Sequence, residues 1–130
     1  MINRKETEEV RLKYYGRCQE CNEINTFHDW CRTCNVSHFR NDFDKWTSRN
    51  KEIDYFIQNT QVNAWNGDLV LEWYPWSNFS EIEEIGKGGY GTVFRAKPKV
   101  GRIRRWDHQS NHWSRMKKGV NGYVYYVECN

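Results

Sequence analysis

The chain has 130 residues and a formal net charge of +3 at pH 7, with 20 Lys and Arg against 17 Asp and Glu. This length allows one ordinary domain or two small ones, and the charge balance alone argues for neither a nucleic-acid partner nor a membrane surface. Seven Trp, eight Tyr and six Phe supply apolar area for small cores. No apolar run approaches the length of a secretion signal or a membrane span, so we expect a cytoplasmic protein, with the nucleus as the alternative.

A charged segment over residues 1–12 precedes two Cys-x2-Cys turns, formed by Cys18, Cys21, Cys31 and Cys34. Where thiols are kept reduced, this spacing indicates a metal site more often than disulfides. Two such turns bring four thiolates to one ion and leave no open position for water, which is typical of structural zinc. We therefore predict a zinc ribbon over residues 13–38. Disulfides or free thiols, and an iron centre, are the alternatives.

Other residues near these turns have plainer interpretations. His28 and His38 flank the predicted site, and we expect both to be exposed surface histidines and not ligands. Cys129 stands alone at the far end of the sequence and is predicted to be a buried strand residue.

Asn25 and Trp30 extend the pattern to Cys-x2-Cys-x3-Asn-x5-Cys-x2-Cys, which is similar to small zinc fingers of the nucleoporin type. That family binds single-stranded RNA or ubiquitin, although it carries Trp where this chain has Gly16. RNA binding would need exposed cationic and stacking groups, for which Arg17, Arg32 and Trp30 are the candidates. We favour the interpretation that Trp30 packs under the metal and that both arginines are solvated.

A helical spacer is predicted over residues 39–65. Asn50 is a good N-cap for a helix over about 51–64, whose predicted apolar face comprises Ile53, Phe56, Ile57, Thr60 and Ala64. A shorter helix from Phe39 to Trp46 is expected, with Phe39, Phe43 and Trp46 forming its apolar stripe. A turn-rich lead-in over 66–80 follows, in which Leu69 to Trp73 form a candidate edge strand before Pro75.

Three glycines, Gly86, Gly88 and Gly91, have the spacing G-x-G-x-x-G, and Val93 completes the pattern of the loop that covers ATP phosphates in protein kinases. Glycine is required because backbone amides must approach phosphate oxygens closely. The predicted nucleotide-binding residues are Ile85, Gly86, Lys87, Gly88, Gly89, Tyr90, Gly91, Thr92 and Val93. A dinucleotide-binding fold would need a helix after the loop, whereas the β-branched and aromatic residues from Thr92 predict a second strand.

Three strands are expected in this part of the chain, over about 81–86, 92–97 with an extension near 102–106, and 122–129. A polar hairpin joins the second strand to the third and contains Asp107, His108, Asn111 and His112. The predicted fold class is α+β: a small four-cysteine zinc ribbon, a helical spacer and a three-stranded antiparallel piece over residues 81–130.

Four features follow one another over residues 14–129: a four-cysteine ribbon, a helix containing Trp-Thr-Ser and Ile-Asp-x-Phe-Ile-Gln, a Leu-Glu-Trp-x-Pro segment and the glycine loop. This order resembles a fungal family of ribbon-bearing protein kinases. The resemblance implies a truncated kinase N-lobe over 81–130 and membership among ATP-dependent kinases. That family's third strand reads Val-Ala-Leu-Lys-Cys, and alignment on Cys129 places Glu128 at the ATP-pairing Lys. No His-Arg-Asp or Asp-Phe-Gly motif follows before Asn130.

We therefore expect this 130-residue chain to be catalytically inactive, with structural zinc as cofactor and only weak binding of ATP and magnesium. A protein partner on the ribbon is expected and RNA is the less favoured partner, while neither DNA nor a membrane is expected. The alternative function is a non-enzymatic zinc-finger module that binds RNA or ubiquitin.

Overall fold

The structure, a computed structural model, describes residues 4–89, 91–117 and 124–129, with side chains described from residue 8 to residue 117. Within these residues it mixes helices and strands, which confirms the α+β prediction at this level. The helices are α1 (Arg4–Tyr15), α2 (Arg32–Arg40) and α3 (Lys51–Asn63), and the strands are β1 (Phe79–Gly88), β2 (Gly91–Pro98), β3 (Ile103–Asp107), β4 (His112–Arg115) and β5 (Val124–Cys129). One sheet has the order β1-β2-β5, and β3 pairs with β4 in a second sheet. No helix of the described part is long and apolar enough to cross a membrane.

The chain divides into two compact units. Unit 1 contains the residues up to Trp73 together with Arg104–Ser114, and unit 2 contains Tyr74–Ile103 and the residues from Arg115 onward. The cysteine turns and the three helices therefore share one unit, whereas the sequence suggested a ribbon and a separate spacer. The hairpin of β3 and β4, which follows β2 in sequence, also lies largely in unit 1.

Helix α1 extends the cysteine-rich region toward the N-terminus. It ends at Tyr15 and is followed by Gly16, which has a φ of 69° in the left-handed region that glycine tolerates best. The Arg11 guanidinium donates to the carbonyl oxygens of Ile24 at 2.8 Å and Asn25 at 3.1 Å. These bonds fasten α1 to the cysteine turns, in a segment that the sequence identified only as charged.

Helix α2 lies earlier in the chain than predicted. The expected helix from Phe39 to Trp46 is wrong, because α2 begins after Cys31 and ends at Arg40, followed by a short 3-10 turn over Phe43–Lys45. Cys31 has extended backbone angles and occupies the N-cap position, so the second cysteine turn itself starts the helix. Phe39 is buried as expected, but at the end of a helix and not at its start.

Helix α3 begins as predicted. The Asn50 side chain accepts hydrogen bonds from the backbone N–H groups of Glu52 at 2.9 Å and Ile53 at 3.2 Å, which confirms the N-cap.

The predicted apolar face of α3 is only partly right. Ile57 and Ala64 are buried, but Ile53 is exposed and Phe56 is 61% exposed. Gln61 is buried instead, and its side-chain amide donates to the Leu71 carbonyl oxygen at 2.9 Å. The segment expected to form an edge strand thus runs along α3 without strand structure.

Trp30 is at the centre of unit 1. Only 1% of its surface is exposed, and its indole N–H donates to the Ala64 carbonyl oxygen at 3.1 Å at the end of α3. Its ring centroid lies 6.3 Å from that of Phe39 and 6.0 Å from that of Trp113 in the hairpin. Trp30 is therefore an interior residue of unit 1 and not a surface ring.

The sheet of unit 2 is built around β2. Antiparallel pairing with β1 runs from Phe79 opposite Pro98 to Gly88 opposite Gly91, and β5 pairs antiparallel on the other side of β2. This confirms the strand-loop-strand interpretation of the glycine motif. The expected extension of the second strand over 102–106 is wrong, because residues 103–107 form β3, which pairs with β4 in the separate sheet.

Candidate metal centre and glycine loop

The four predicted metal ligands converge on one point. The Sγ atoms of Cys18, Cys21, Cys31 and Cys34 all lie within 4.8 Å of one another. Cys18 and Cys34 have their sulfurs 3.8 Å apart, and Cys21 and Cys31 have theirs 3.7 Å apart. Two sulfurs of a tetrahedral site with bonds of about 2.3 Å are separated by roughly 3.8 Å, whereas a disulfide would need about 2.05 Å. This geometry fits four thiolates around one metal ion.

The first turn is shaped by its own backbone. The Cys18 N–H donates to the Glu23 carbonyl oxygen at 2.8 Å, and the Asn22 N–H donates to the Cys18 carbonyl oxygen at 3.0 Å. Asn22 has a φ of 64°, a left-handed conformation that asparagine tolerates. The Glu20 N–H donates to the Cys18 sulfur at 3.3 Å, which fixes the position of this sulfur in the turn.

The second turn is the start of α2. The Cys31 carbonyl oxygen accepts from the Asn35 N–H at 2.9 Å, and Cys34 lies in the first helical turn. The Cys31 and Cys34 thiols therefore lie at the positive end of the helix dipole, which favours their charged form.

When no cation is present, burial of the Cys31 and Cys34 thiols opposes their charged form. Burial raises the pKa of Cys31 to about 11 and raises the pKa of Cys34 further, with the neighbouring thiols adding to the effect. Burial also raises the pKa of Cys21, but hydrogen bonds from the Glu23 backbone and from the other thiols outweigh it and lower the net value. A divalent cation would displace the protons that Cys31 and Cys34 otherwise hold.

Neither flanking histidine belongs to the sulfur cluster of the described residues. His28 is exposed, as expected. The expectation of an exposed His38 is wrong: only 13% of its side chain is accessible, its Nε2 lies 2.9 Å from a Glu20 carboxylate oxygen, and its ring stacks on Trp106 at 3.6 Å.

Trp106 and Trp113 are the residues that the sequence analysis missed. Both lie in the β3–β4 hairpin, their rings contact each other at 5.0 Å, and Trp113 stacks on Phe39 at 4.4 Å. Two tryptophans symmetrically placed about the polar residues 107–112 were the available signal, since such side chains can meet across a hairpin. A cavity of about 120 Å³ separates this hairpin from the metal cluster, and its lining includes Cys18, Cys31 and Trp106.

The candidate RNA-contacting residues do not form a stacking surface. Trp30 is buried, and Arg32 donates to the Asn63 side chain at 3.2 Å while lying over the Trp65 ring at 5.6 Å. Arg17 is exposed, as expected, and donates to the Asn22 carbonyl oxygen at 3.1 Å.

The structure places the predicted nucleotide-binding residues on one hairpin. Residues 85–88 end β1 and residues 91–93 begin β2, with Lys87 opposite Thr92 and Gly88 opposite Gly91. Gly91 is buried and has a φ of 141°, which a residue with a side chain rarely adopts. An added methyl group on Gly89 would meet nothing within 4 Å. Tyr90 lies outside the described residues.

Strand β5 returns to the glycine loop. Cys129 is opposite Gly91, and Glu128 is opposite Thr92. The backbone of Glu128 is therefore one register step from the third glycine of the motif. The strand prediction for Cys129 is confirmed, and its side chain lies outside the described part.

Comparisons of the chain with protein-family models, with curated proteins and with solved structures find no match. The interpretation of both sites therefore depends on the geometry of this chain.

Proposed function

We propose that this chain is a kinase-like polypeptide in which a structural zinc centre folds unit 1 as a protein-interaction module. The observation that carries the metal centre is the convergence of four cysteine sulfurs within 4.8 Å, with two pairs at 3.7 and 3.8 Å. Four thiolates fill a tetrahedral shell, so the ion would stabilise the fold and would not activate water.

Both the sulfur–sulfur distances and the chemistry of zinc favour a zinc site over disulfides. The sulfur separations of 3.7 and 3.8 Å far exceed the disulfide bond length of about 2.05 Å. Zinc accepts tetrathiolate coordination without redox change. Iron binds the same ligand set, so the metal must be identified by measurement.

The test is the metal content of the purified, reduced protein and of two matched cysteine variants. We expect one zinc per chain, retained in Cys129→Ser and lost in Cys21→Ser, because Cys129 is outside the predicted ligand set. Chelation should unfold the ribbon, since binding and folding are coupled and contribute roughly 10 to 16 kcal/mol at neutral pH. Native mass spectrometry that shows a metal-free chain with two disulfides contradicts the proposal.

A second candidate function belongs to the glycine hairpin of unit 2. The antiparallel β1-β2-β5 sheet and the pairing of Gly88 with Gly91 support a kinase-type phosphate loop. We infer that it binds ATP no more tightly than millimolar, equivalent to about 4 kcal/mol, because Glu128 would stand where that loop needs a lysine. Phosphotransfer depends on that lysine and on magnesium ligands, so no catalysis is expected from these 130 residues.

Calorimetric or NMR titration of Mg-ATP tests this second function. Substituting Glu128→Lys should strengthen binding measurably without producing phosphotransfer, and Gly88→Asp should abolish it. Micromolar affinity in the unmodified chain would show a working nucleotide site, and label transfer from radioactive ATP that disappears in Gly88→Asp would show an enzyme.

The partner of unit 1 is proposed to be a protein and not RNA. Tyr55 and Phe56 on α3 are 70% and 61% exposed, whereas the aromatic ring that RNA stacking would require, Trp30, is buried. Titration of the full chain with ubiquitin and with labelled single-stranded RNA separates the two classes. Saturable RNA binding that survives Trp30→Phe would favour the RNA module.

A further inference from the structure

The β3–β4 hairpin contacts α2, the helix that contains Cys34 and has Cys31 at its N-cap. Trp106 lies parallel to the His38 ring, with an interplanar angle of 8° and a centroid distance of 3.6 Å. Trp113 stacks on Phe39 at 4.4 Å and contacts Trp30 at 6.0 Å. The hairpin is thus packed on α2 through two tryptophans, directly beyond the turn that presents Cys31 and Cys34.

The hairpin also approaches the first cysteine turn. Glu20 lies between Cys18 and Cys21, and one of its carboxylate oxygens is 2.9 Å from His38 Nε2 and 3.6 Å from His108 Nδ1. The same residue donates its backbone N–H to the Cys18 sulfur. Glu20 therefore links the hairpin tip, α2 and a metal ligand.

The cavity shows which side of the sulfur cluster the hairpin covers. Its lining contains Cys18 and Cys31 together with Arg105, Trp106 and His108 from the hairpin. These two cysteines are the buried members of the ligand set, whereas Cys21 is exposed. The Trp106 ring therefore lines the same cavity as the two buried cysteines of the predicted ligand set.

We propose that the β3–β4 hairpin is a lid over the metal centre, which slows metal exchange while it is docked and which undocks when the metal leaves. This inference rests on the proposed zinc centre. The reciprocal effect follows from linkage, because a lid that stabilises the metal-bound form must itself be stabilised by the metal. Metal loss would loosen the segments that position His38, which stacks on Trp106, and Glu20, which lies 3.6 Å from His108.

The position of the hairpin in sequence gives the lid a further consequence. Strand β2 precedes it and strand β5 follows it, and both belong to the sheet that carries the glycine loop. Undocking would lengthen the unconstrained connection between β2 and β5 and would raise the entropic cost of pairing them.

The first experiment measures the rate of zinc release from the full chain to an excess of a coloured chelator. We expect about tenfold faster release in Trp106→Ala, equivalent to about 1.4 kcal/mol. Trp106→Phe should stay near the parent rate, because it keeps a stacking ring and because Trp106 Nε1 has no hydrogen-bond partner in the described structure. His108→Ala should accelerate release less than Trp106→Ala, and the exposed Tyr55→Ala should not change it.

The second experiment measures amide hydrogen exchange over residues 103–115 with and without zinc. We expect protection in the zinc-bound protein and its loss after chelation. Zinc-bound parent protein with equal release rates in Trp106→Ala, His108→Ala and Tyr55→Ala would overturn the lid and leave the metal centre intact. Protection that persists after chelation would overturn it as well. A parent chain that contains no metal would overturn the proposed zinc centre and the lid together.

Discussion

Replacement of Trp30 by alanine would remove the residue that joins three parts of unit 1. Its side chain is almost completely buried, contacts Phe39 and Trp113, and donates to the Ala64 carbonyl oxygen. Removing a buried tryptophan costs about 3 to 5 kcal/mol, a large part of the roughly 5 to 15 kcal/mol that stabilises a typical domain.

A second variant separates the packing contribution of Trp30 to stability from the contribution of its hydrogen bond. Trp30→Phe keeps an aromatic ring but leaves the Ala64 carbonyl oxygen without its indole donor, which costs about 1 to 3 kcal/mol for a buried acceptor. Trp65→Ala is a matched control, because Trp65 is 46% exposed and contacts Arg32 at the surface. Its expected cost is about 1 kcal/mol or less.

The assay is urea unfolding of the zinc-loaded, reduced protein, followed by near-ultraviolet circular dichroism. With a slope of about 2 kcal/mol per molar urea, Trp30→Ala should lower the midpoint by about 2 M or unfold the unit outright, and Trp65→Ala by about 0.5 M. Equal midpoints for the two alanine variants would refute the assignment of Trp30 to the core and would reopen its role as a surface platform.

Three further changes test other parts of the structure. Asn50→Ala should destabilise the zinc-loaded protein by about 1 kcal/mol in urea unfolding through loss of the α3 N-cap, and no change would contradict that cap. Gly91→Ala should increase amide exchange at Lys87 and Thr92, because the Gly91 φ of 141° strains a residue with a side chain by roughly 1 to 3 kcal/mol. Gly89→Ala should not increase it, since the added methyl group meets open space. Equal exchange in both variants would argue against this hairpin geometry. Hydrogen bonds from the Ser48 and Thr47 side chains and the Ser48 backbone lower the pKa of Asp54 below its ordinary 3.8. The contribution of Asp54 to stability is therefore present above pH 3.8 and is lost as the pH falls toward its lower pKa in the folded protein. Asp54→Asn should remove that part of the acid dependence of unfolding, and an unchanged acid profile would contradict it.

The features that the sequence predicted well depend on local sequence patterns. The convergence of the four cysteines follows from two short turns, the start of α3 from one asparagine, and the glycine hairpin from spacing and β-branched residues. Each of these features depends on residues within a few positions of one another. The start of α2 was missed because Cys31, which is not a usual capping residue, takes the N-cap position in a turn shaped by the sulfur cluster.

Features that depend on distant residues were predicted poorly. Phe56 was assigned to the core by helical spacing, but Gln61 is buried with Ile57 instead, and its side-chain amide donates to the Leu71 carbonyl oxygen. Trp106 lies far beyond His38 in the sequence, and no local rule indicates that the two rings stack. The hairpin between β2 and β5 was therefore expected to be a connection in one sheet, whereas it packs on the cysteine-rich unit.

X-ray absorption spectroscopy at the metal edge of the purified protein tests the zinc centre most directly, because it reports both the element and its ligand shell. The account predicts a zinc edge and four sulfur neighbours at about 2.3 Å, with no nitrogen from His28 or His38. An iron edge, a shell that contains histidine nitrogen, or a metal-free protein would contradict it.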